Sequence, residues 1–378
     1  MLTSEQLLSV AEHYGTPVYV YDLDEIRRRF RELRKIFQDI PTDIHYAVKA
    51  NANPSVIHAL HAEGALFDTV SPQEIRFLKE IGIPEEDILF TPSCPSREEL
   101  VTALESAVTV HTGETEDLEW IARNFPHRPV GIRLNPGIEI GGNKKIATAH
   151  DSSKFGIPRE YIDSVADLIR QTGLPVKGLH IHLGSDVHQG DALEKSLKFL
   201  SDISSYFPDL EYVDIGGGFK VPYRPGDSAA DMHQVRDLIR TYFPPSRGIR
   251  IKMEPGKFLT GPAGYFLMRV NRVKETPRKR FICVDSGFNH FLRPMYYGAY
   301  HEIENLTRPD APPKKYDVVG YLCEEDTFAY DRMLPATKPG DILVLHNAGA
   351  YGMVMASRYN LRPLPKEVAV DGKKIFEV

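Results

Sequence analysis

The chain has 378 residues, 42% of them apolar, 26% charged and 10% aromatic, and its formal net charge at pH 7 is -6. This length predicts one large domain and a smaller one, and the mixed charges, without basic runs, argue against a nucleic-acid partner. No apolar run is long enough to span a bilayer, the first residues lack the pattern of a signal peptide, and the three cysteines suit a reducing compartment. We therefore expect a cytoplasmic protein with no membrane partner.

Short apolar, β-branched runs alternate with helical patterns between residues 44 and 256. In one helical segment Ser71 is predicted as the N-cap and Pro72 as the first helical residue, with Glu74 completing a capping box and Gly82 ending the helix. Eight strand–helix units in about 210 residues predict a (β/α)₈ barrel, with a doubly wound sheet as the alternative. The eight runs are IHYAVKA, LFDTV, ILFTP, AVTVHT, PVGIRLNP, KGLHIHLG, YVDIGGGF and IRIKMEPG.

After residue 260 the pattern changes to strand-like segments separated by loops, which predicts a C-terminal β domain and an overall α/β plus β fold. The segment TPVYVYD near the N-terminus is also strand-like, and we expect it to join the β domain. The predicted organisation is an N-terminal segment 1–35, a barrel 36–260 and a β domain 261–378. The late strand-like segments are GYFLMRVNRVKET, KRFICVDSG, YDVVGYLCEE, DILVLHNAGAYG and EVAVDGKKIFEV.

Unusual residues follow four of the predicted barrel strands, where the active site of such a barrel lies. They are Lys49, the segment His182–Ser185, the segment Gly216–Phe219 and the segment Glu254–Lys257. Each has an ordinary structural interpretation. A strand-end lysine usually extends to solvent, a single histidine is more often structural, a glycine triplet is usually a turn, and Glu-Pro-Gly is a common strand exit.

One ligand would account for all four features. A desolvated lysine loses its proton more readily and attacks aldehydes, and consecutive glycines expose N–H groups to a phosphate. A carboxylate can keep a pyridine nitrogen protonated, and an imidazole can stack on a flat ring. An aldehyde, a phosphate and a pyridine ring together describe pyridoxal 5′-phosphate. The hypothesis is that Lys49 forms a Schiff base with this cofactor; no metal site is predicted.

Seven motifs, four of them at the strand ends just described, resemble one enzyme family in their order and spacing: YAVKAN, HLGS, GGGF, EPG, LRPMYYGAYH, CEEDTFAYDR and NAGAYGMVMASRYN. From about residue 15 onward the chain resembles the fold-type III, pyridoxal-phosphate-dependent decarboxylases of basic amino acids, and within them the diaminopimelate decarboxylases. The resemblance implies an alanine racemase-like barrel with a β domain. It also implies decarboxylation of an amino-acid substrate, meso-2,6-diaminopimelate, to L-lysine in lysine biosynthesis.

The resemblance also implies residue roles. Lys49 would be the Schiff-base lysine and His182 the residue stacked on the cofactor. Cys323 would donate a proton after carbon dioxide leaves, and with Glu324 it would reach the site of the other subunit in a homodimer. The remaining implied cofactor contacts are Asp68, Arg133, Ser185, Gly217, Gly218, Glu254 (at the pyridine nitrogen), Gly256, Lys257 and Tyr351. The implied substrate contacts are Lys257, Arg293, Tyr297, Glu324 and Tyr351.

The chain departs from the family pattern at two points. Lys257 stands where the family usually has arginine, which predicts a differently shaped anion contact. Glu325 replaces a serine, and the segment before Asp331-Arg332 is one residue shorter. The alternative function is decarboxylation of another basic amino acid: ornithine, lysine, arginine or carboxynorspermidine. Cys323 and Glu324 argue against two further alternatives, a racemase of the same fold and a non-catalytic cofactor carrier.

Overall fold

The computed structural model describes residues 1–138, 149–150, 152–185 and 190–378. Its strands in chain order are β1 (Val18–Asp22), β2 (Thr42–Ala47), β3 (Leu66–Thr69), β4 (Ile88–Phe90), β5 (Thr109–Thr112), β6 (Val130–Asn135), β7 (Ile157–Pro158), β8 (Val176–His180), β9 (Tyr212–Asp214), β10 (Arg250–Met253), β11 (Gly264–Glu275), β12 (Arg280–Val284), β13 (Ile303–Asn305), β14 (Pro313–Val319), β15 (Thr327–Pro335), β16 (Ile342–Leu345), β17 (Lys366–Asp371) and β18 (Lys374–Glu377). Its helices are α1 (Ser4–Tyr14), α2 (Leu23–Ile36), α3 (Pro54–His61), α4 (Pro72–Glu80), α5 (Arg97–Leu104), α6 (Thr115–Asn124), α7 (Ile162–Thr172), α8 (Gly190–Ile203), α9 (Met232–Tyr242), α10 (Lys257–Thr260) and α11 (Arg293–Tyr297).

Eight parallel strands close into a barrel in the order β2, β3, β4, β5, β6, β8, β9 and β10, with β10 paired to β2. Each corresponds to one of the eight apolar runs, so the predicted barrel is confirmed and the doubly wound alternative is wrong. The runs are continuously apolar because the crossover helices cover their outer face. The carboxyl ends of all eight strands consequently meet at one rim of the barrel.

Helix α4 shows how the local sequence sets the boundaries. Ser71 Oγ accepts the N–H of Glu74 at 3.2 Å, and Pro72 is the first helical residue, as predicted. Glu74 Oε2 accepts the N–H of Val70 at 2.7 Å instead of that of Ser71, so the predicted capping box is only half formed. The helix ends at Glu80, and Gly82 follows with φ +86°, a conformation that favours glycine.

The remaining strands form a second, mixed sheet with the path β15-β14-β12-β11-β1-β17-β18, while β16 pairs with both β11 and β13. The predicted β domain is therefore confirmed. β1 lies between β11, to which it is antiparallel, and β17, to which it is parallel. The sequence pattern missed β13 and β15. β15 was missed because charged residues such as Asp331 and Arg332 interrupt its apolar alternation.

The two sheets share one apolar core. Val48 and Leu259 at the barrel rim belong to the same buried cluster as Phe266 of β11 and Phe291, which follows β12. The rim that holds the strand ends is therefore covered on one side by the β domain. Among the residues described, every helix is too short or too polar to cross a membrane.

Candidate active site

Lys49 lies in a single 3₁₀ turn, Val48–Ala50, directly after β2. Its Nζ is 3.0 Å from Oδ2 of Asp68, which lies on β3 opposite Ala47. Burial lowers the pKa of Lys49, but the charges of Asp68, Tyr351 and Glu254 raise it by more, so the pKa lies above its ordinary value. The expectation that desolvation alone would make Lys49 lose its proton is therefore wrong for this ion-paired state.

The ionised forms of two carboxyl groups near Lys49, those of Asp68 and Glu254, are destabilised by burial. Burial, followed by the charge of Glu254, raises the pKa of Asp68 to about 7, although Lys49 partly offsets this. Burial likewise raises the pKa of Glu254, which follows β10. Within the described chain, Asp68 Oδ1 and Glu254 Oε1 are buried without a hydrogen-bond partner. Unpaired buried carboxylate oxygens are costly, and a donor on a bound molecule would relieve the cost.

The glycine triplet after β9 lies against the segment after β8. The N–H of Gly217 donates to Nδ1 of His182 at 3.1 Å, so this ring nitrogen is an acceptor and Nε2 carries the proton of the neutral ring. A Cβ on Gly217 would lie 2.0 Å from the carbonyl oxygen of Glu254, and one on Gly218 would lie 1.7 Å from that of Gly184. Only glycine fits at these positions, which brings backbone N–H groups to the rim.

Two other predicted cofactor residues lie beside this loop. Ser185 is adjacent to Gly218, since a Cβ on that glycine would be 3.3 Å from the Ser185 Cα. Arg133, on β6, is buried, and its Cζ lies 4.8 Å from the centre of the Phe155 ring. The charge of Arg133 acts on both Asp68 and Glu254, so it offsets part of the negative charge of the pocket.

One segment of the β domain and one of the barrel pack against the Lys49 turn. The N–H of Tyr351, which has φ +54°, donates to the carbonyl of Ala50 at 2.8 Å. A Cβ on Gly256 would be 2.8 Å from the Cβ of Ala50, so the Glu-Pro-Gly segment is packed on the other side of the turn. A non-glycine residue with positive φ is strained and is retained where the surroundings require it. Here it places Tyr351 next to Lys49.

A second group of side chains adjoins this pocket and includes two buried cations. Lys257 Nζ is 5.6 Å and Arg293 Cζ is 5.2 Å from the centre of the same Tyr223 ring. Arg293 Cζ is also 5.9 Å from the ring centre of Tyr297, and Arg293 Nε donates to His301 Nε2 at 3.3 Å. Arg293 forms no ion pair with any described residue. The arrangement suits a carboxylate on a small ligand.

Cys323 and Glu324 lie elsewhere. Both are exposed, in the loop between β14 and β15. Tyr359 Oη donates to Glu324 Oε1, and Asn360 Nδ2 donates to Cys323 Sγ at 3.4 Å. In the part of the chain that the structure describes, no hydrogen bond or ion pair joins either residue to Lys49. A single subunit thus gathers the other predicted site residues and leaves these two at its surface.

The pocket fits pyridoxal phosphate on its own geometry. A lysine amine at the rim, a close-packed glycine loop, a neutral imidazole and the buried carboxylate of Glu254 suit its aldehyde, phosphate, ring face and ring nitrogen respectively. Sequence reasoning missed three neighbours of the pocket, Asn51, Tyr223 and His301. Asn51 lies within the YAVKAN motif and His301 ends the LRPMYYGAYH motif, so the motifs themselves could have revealed these two.

Comparisons with known proteins agree with this chemistry. Residues 23–261 match the family model described as "Pyridoxal-dependent decarboxylase, pyridoxal binding domain". A diaminopimelate decarboxylase of Methanothermobacter thermautotrophicus is 36% identical, with 97% of this chain and 90% of that protein aligned; one of Streptomyces coelicolor is 34% identical, with 98% and 88% aligned. The crystal structure of diaminopimelate decarboxylase from Helicobacter pylori complexed with L-lysine has a TM-score of 0.91 at 29% identity and covers 99% of this chain and 95% of that one.

Proposed function

Because the chain belongs to the family of pyridoxal-dependent decarboxylases, we propose that it converts meso-2,6-diaminopimelate to L-lysine with pyridoxal phosphate held at Lys49. The observation that carries this substrate assignment is the pair of buried cations, Lys257 and Arg293, whose charged ends lie 5.6 and 5.2 Å from the centre of the Tyr223 ring. Diaminopimelate keeps one carboxylate at its distal carbon, whereas ornithine and lysine have an ammonium group alone there. A cationic pocket stabilises the first substrate and repels the others.

Bound pyridoxal phosphate supplies an aromatic ring that accepts the electrons left behind by carbon dioxide. The residues of the chain bind and orient it. We assign the amine link to Lys49, ring stacking to His182 and the ring-nitrogen contact to Glu254. The assigned phosphate contacts are Gly218, through its N–H, and Gly217, whose own N–H bonds to His182 Nδ1, together with Ser185 and Tyr351.

We further propose that the enzyme is a homodimer in which each subunit completes the site of the other. Cys323 and Glu324 are exposed and separate from Lys49 in their own subunit, as expected for residues that serve a neighbouring site. Cys323 would deliver the proton that replaces carbon dioxide, and Glu324 would hold the distal ammonium. Since this thiol must stay reduced to act, we place the enzyme in the cytoplasm.

The direct test is one assay panel. Purified protein with added pyridoxal phosphate is incubated separately with meso-diaminopimelate, L-lysine, L-ornithine and L-arginine, and released carbon dioxide is measured. We expect release from diaminopimelate with a kcat/KM at least about 100-fold above that for the other three, since those substrates offer no distal carboxylate to Arg293. Preference for ornithine, lysine or arginine would instead establish a sibling decarboxylase.

A further inference from the structure

The barrel contains a buried histidine that the proposed function does not use. His180, the last residue of β8, is 1% exposed. Its Nε2 is 3.4 Å from Oε1 of Glu254, and neither atom has a closer hydrogen-bond partner among the described residues. Two unsatisfied polar atoms that face each other in a dry interior form a hydrogen bond once either side chain moves by a few tenths of an ångström.

Packing beneath the pocket holds the ring of His180 in place. The ring of His111, on β5, lies with its centre 5.1 Å from that of His180. His111 Nε2 is 2.8 Å from the Tyr212 hydroxyl, which extends across the barrel from β9. A Cβ on Gly178 would lie 2.1 Å from the Tyr212 ring, and one on Gly131 would lie 2.3 Å from His111. The two glycines therefore leave room for a polar cluster, defined here as His111, His180 and Tyr212.

His180 can donate one hydrogen bond, and the ionised form of Glu254, which burial destabilises, gains from accepting it. Burial, with the charges of Arg133 and Lys49, lowers the pKa of His180 well below its ordinary value, so the imidazole is neutral and has one N–H. Burial raises the pKa of Glu254. A hydrogen bond from a neutral donor stabilises the ionised carboxylate without adding charge.

We propose that His180 is a positioning residue, which donates its Nε2–H to Glu254 Oε1 and so presents the carboxylate to the ring nitrogen of the cofactor. The proposal rests on the assignment of Glu254 to that nitrogen in the proposed function. The ligand atoms of His111, His180 and Glu254 also lie within 4.8 Å of one another, as at a metal site. Both positive groups (Lys49, Arg133 and Lys252) and carboxyl groups (Asp68 and Asp214) surround Glu254, so the test below also includes metal binding.

The test compares two cofactors in direct binding. Apo-enzyme is titrated with pyridoxal phosphate and with its deaza analogue, in which CH replaces the ring nitrogen, and each Kd is measured by equilibrium dialysis. In wild type we expect tighter binding of pyridoxal phosphate. His180→Phe should weaken the binding of pyridoxal phosphate by roughly 10-fold, the scale of one hydrogen bond to a charged group. It should change the binding of the deaza analogue by less than about 2-fold, because that analogue makes no ring-nitrogen contact.

Two other variants complete the design. His180→Gln keeps an N–H donor and should restore most of the preference for pyridoxal phosphate. His61→Gln breaks a histidine–carboxylate pair of 3.0 Å on the outer face of the barrel and should match wild type. If His180→Phe does not fold, ¹⁵N NMR of wild-type apo-enzyme decides, since a proton on Nδ1 of His180 overturns the proposal.

Each remaining outcome has one meaning. Equal weakening of both cofactors by His180→Phe would overturn the proposal and make the residue structural. Stoichiometric zinc bound at the polar cluster would overturn it too. If wild type binds neither cofactor, the proposed function itself fails. If wild type prefers pyridoxal phosphate and His180→Phe keeps that preference, only the role of His180 fails.

Discussion

Asn51 Nδ2 donates to the carbonyl oxygen of Gly349 at 3.0 Å and so joins the Lys49 turn of the barrel to the segment that places Tyr351. Its Oδ1 also accepts the N–H of Asn53 at 2.9 Å, at the start of α3. One buried amide therefore connects the barrel, its first crossover helix and the β domain. Two of these three elements supply predicted contacts to the cofactor.

The first prediction concerns this amide. Asn51→Ala should lower the free energy of unfolding by about 1–3 kcal/mol, because it leaves the Gly349 carbonyl buried without a donor. It should also weaken pyridoxal phosphate binding, since Tyr351 is no longer held beside Lys49. Thermal melting and equilibrium dialysis measure the two effects. The control is Asn124→Ala, which removes a local contact on an exposed helix end; equal effects of the two variants would contradict the prediction.

The second prediction is a pH dependence of the apo-enzyme. The pKa of Asp68 is about 7 in the folded chain, above its unfolded value, because the carboxylate is buried and lies near Glu254. Between about pH 4 and 7 the folded state then binds the extra proton, so stability falls as pH rises through this window. The asparagine of Asp68→Asn cannot ionise. In this variant the decrease in the free energy of unfolding across this window should therefore be smaller by on the order of 2–4 kcal/mol.

The measurement for Asp68 is denaturant unfolding of apo-enzyme at several pH values between 4 and 8. Asp87→Asn is the matched control, because Asp87 pairs with His61 at the surface and not with Lys49. An unchanged slope in Asp68→Asn would show that the carboxylate is ionised throughout this range.

The barrel could be predicted from the sequence because each strand is a separate apolar run. The position of Lys49 at a strand end could also be predicted, since a charged residue at the end of such a run is conspicuous. The contacts among residues that are distant in the chain could not be predicted. Nothing local in Gly131 or Gly178 indicates that Tyr212 fills the space above them. The direction in which the pKa of Lys49 is shifted could not be predicted either, because it depends on the position of Asp68 in the next strand.

The third prediction concerns substrate choice. Arg293→Ala should lower kcat/KM for meso-diaminopimelate by at least about 100-fold, since losing one partner of a buried charge pair costs about 2–5 kcal/mol. Trace activity on L-lysine, which has no distal carboxylate, should change little. Arg224→Ala is the control, because this exposed arginine, which follows Tyr223 in the chain, lies over the ring of Tyr300. Equal losses on both substrates would make Arg293 a structural residue.

The fourth prediction concerns the shared site. Lys49→Ala and Cys323→Ala should each be nearly inactive alone. After subunit exchange, half of the dimers are heterodimers with one intact site of two, so the mixture should regain about a quarter of wild-type activity. Sedimentation and differently tagged subunits verify the exchange. Exchange without recovered activity would place Lys49 and Cys323 in the site of one subunit.

The last prediction extends this assay to the residue that holds the Cys323 loop. Asp326 Oδ1 accepts the N–H of Phe288 at 2.6 Å, and Oδ2 accepts that of Leu322 at 3.0 Å. A Cβ on Gly287 or Gly320 would approach Oδ2 to 2.5 or 2.0 Å, so two glycines make room for this carboxylate. The side chain thus fixes the residue next to Cys323 against the segment after β12.

Asp326→Ala should therefore lower kcat by about 10-fold or more, since a small displacement of a reacting group is costly, while pyridoxal phosphate binding at Lys49 is unchanged. In mixing experiments it should behave as Cys323→Ala does: recovery with Lys49→Ala and none with Cys323→Ala, because both changes damage the same half of the site. Asp326→Asn keeps one acceptor oxygen and should retain more activity, and Glu325→Ala, an exposed neighbour, is the control. Loss of cofactor binding in Asp326→Ala would instead mean that the substitution unfolds the β domain, and Asp326 would then have no separate role in placing Cys323.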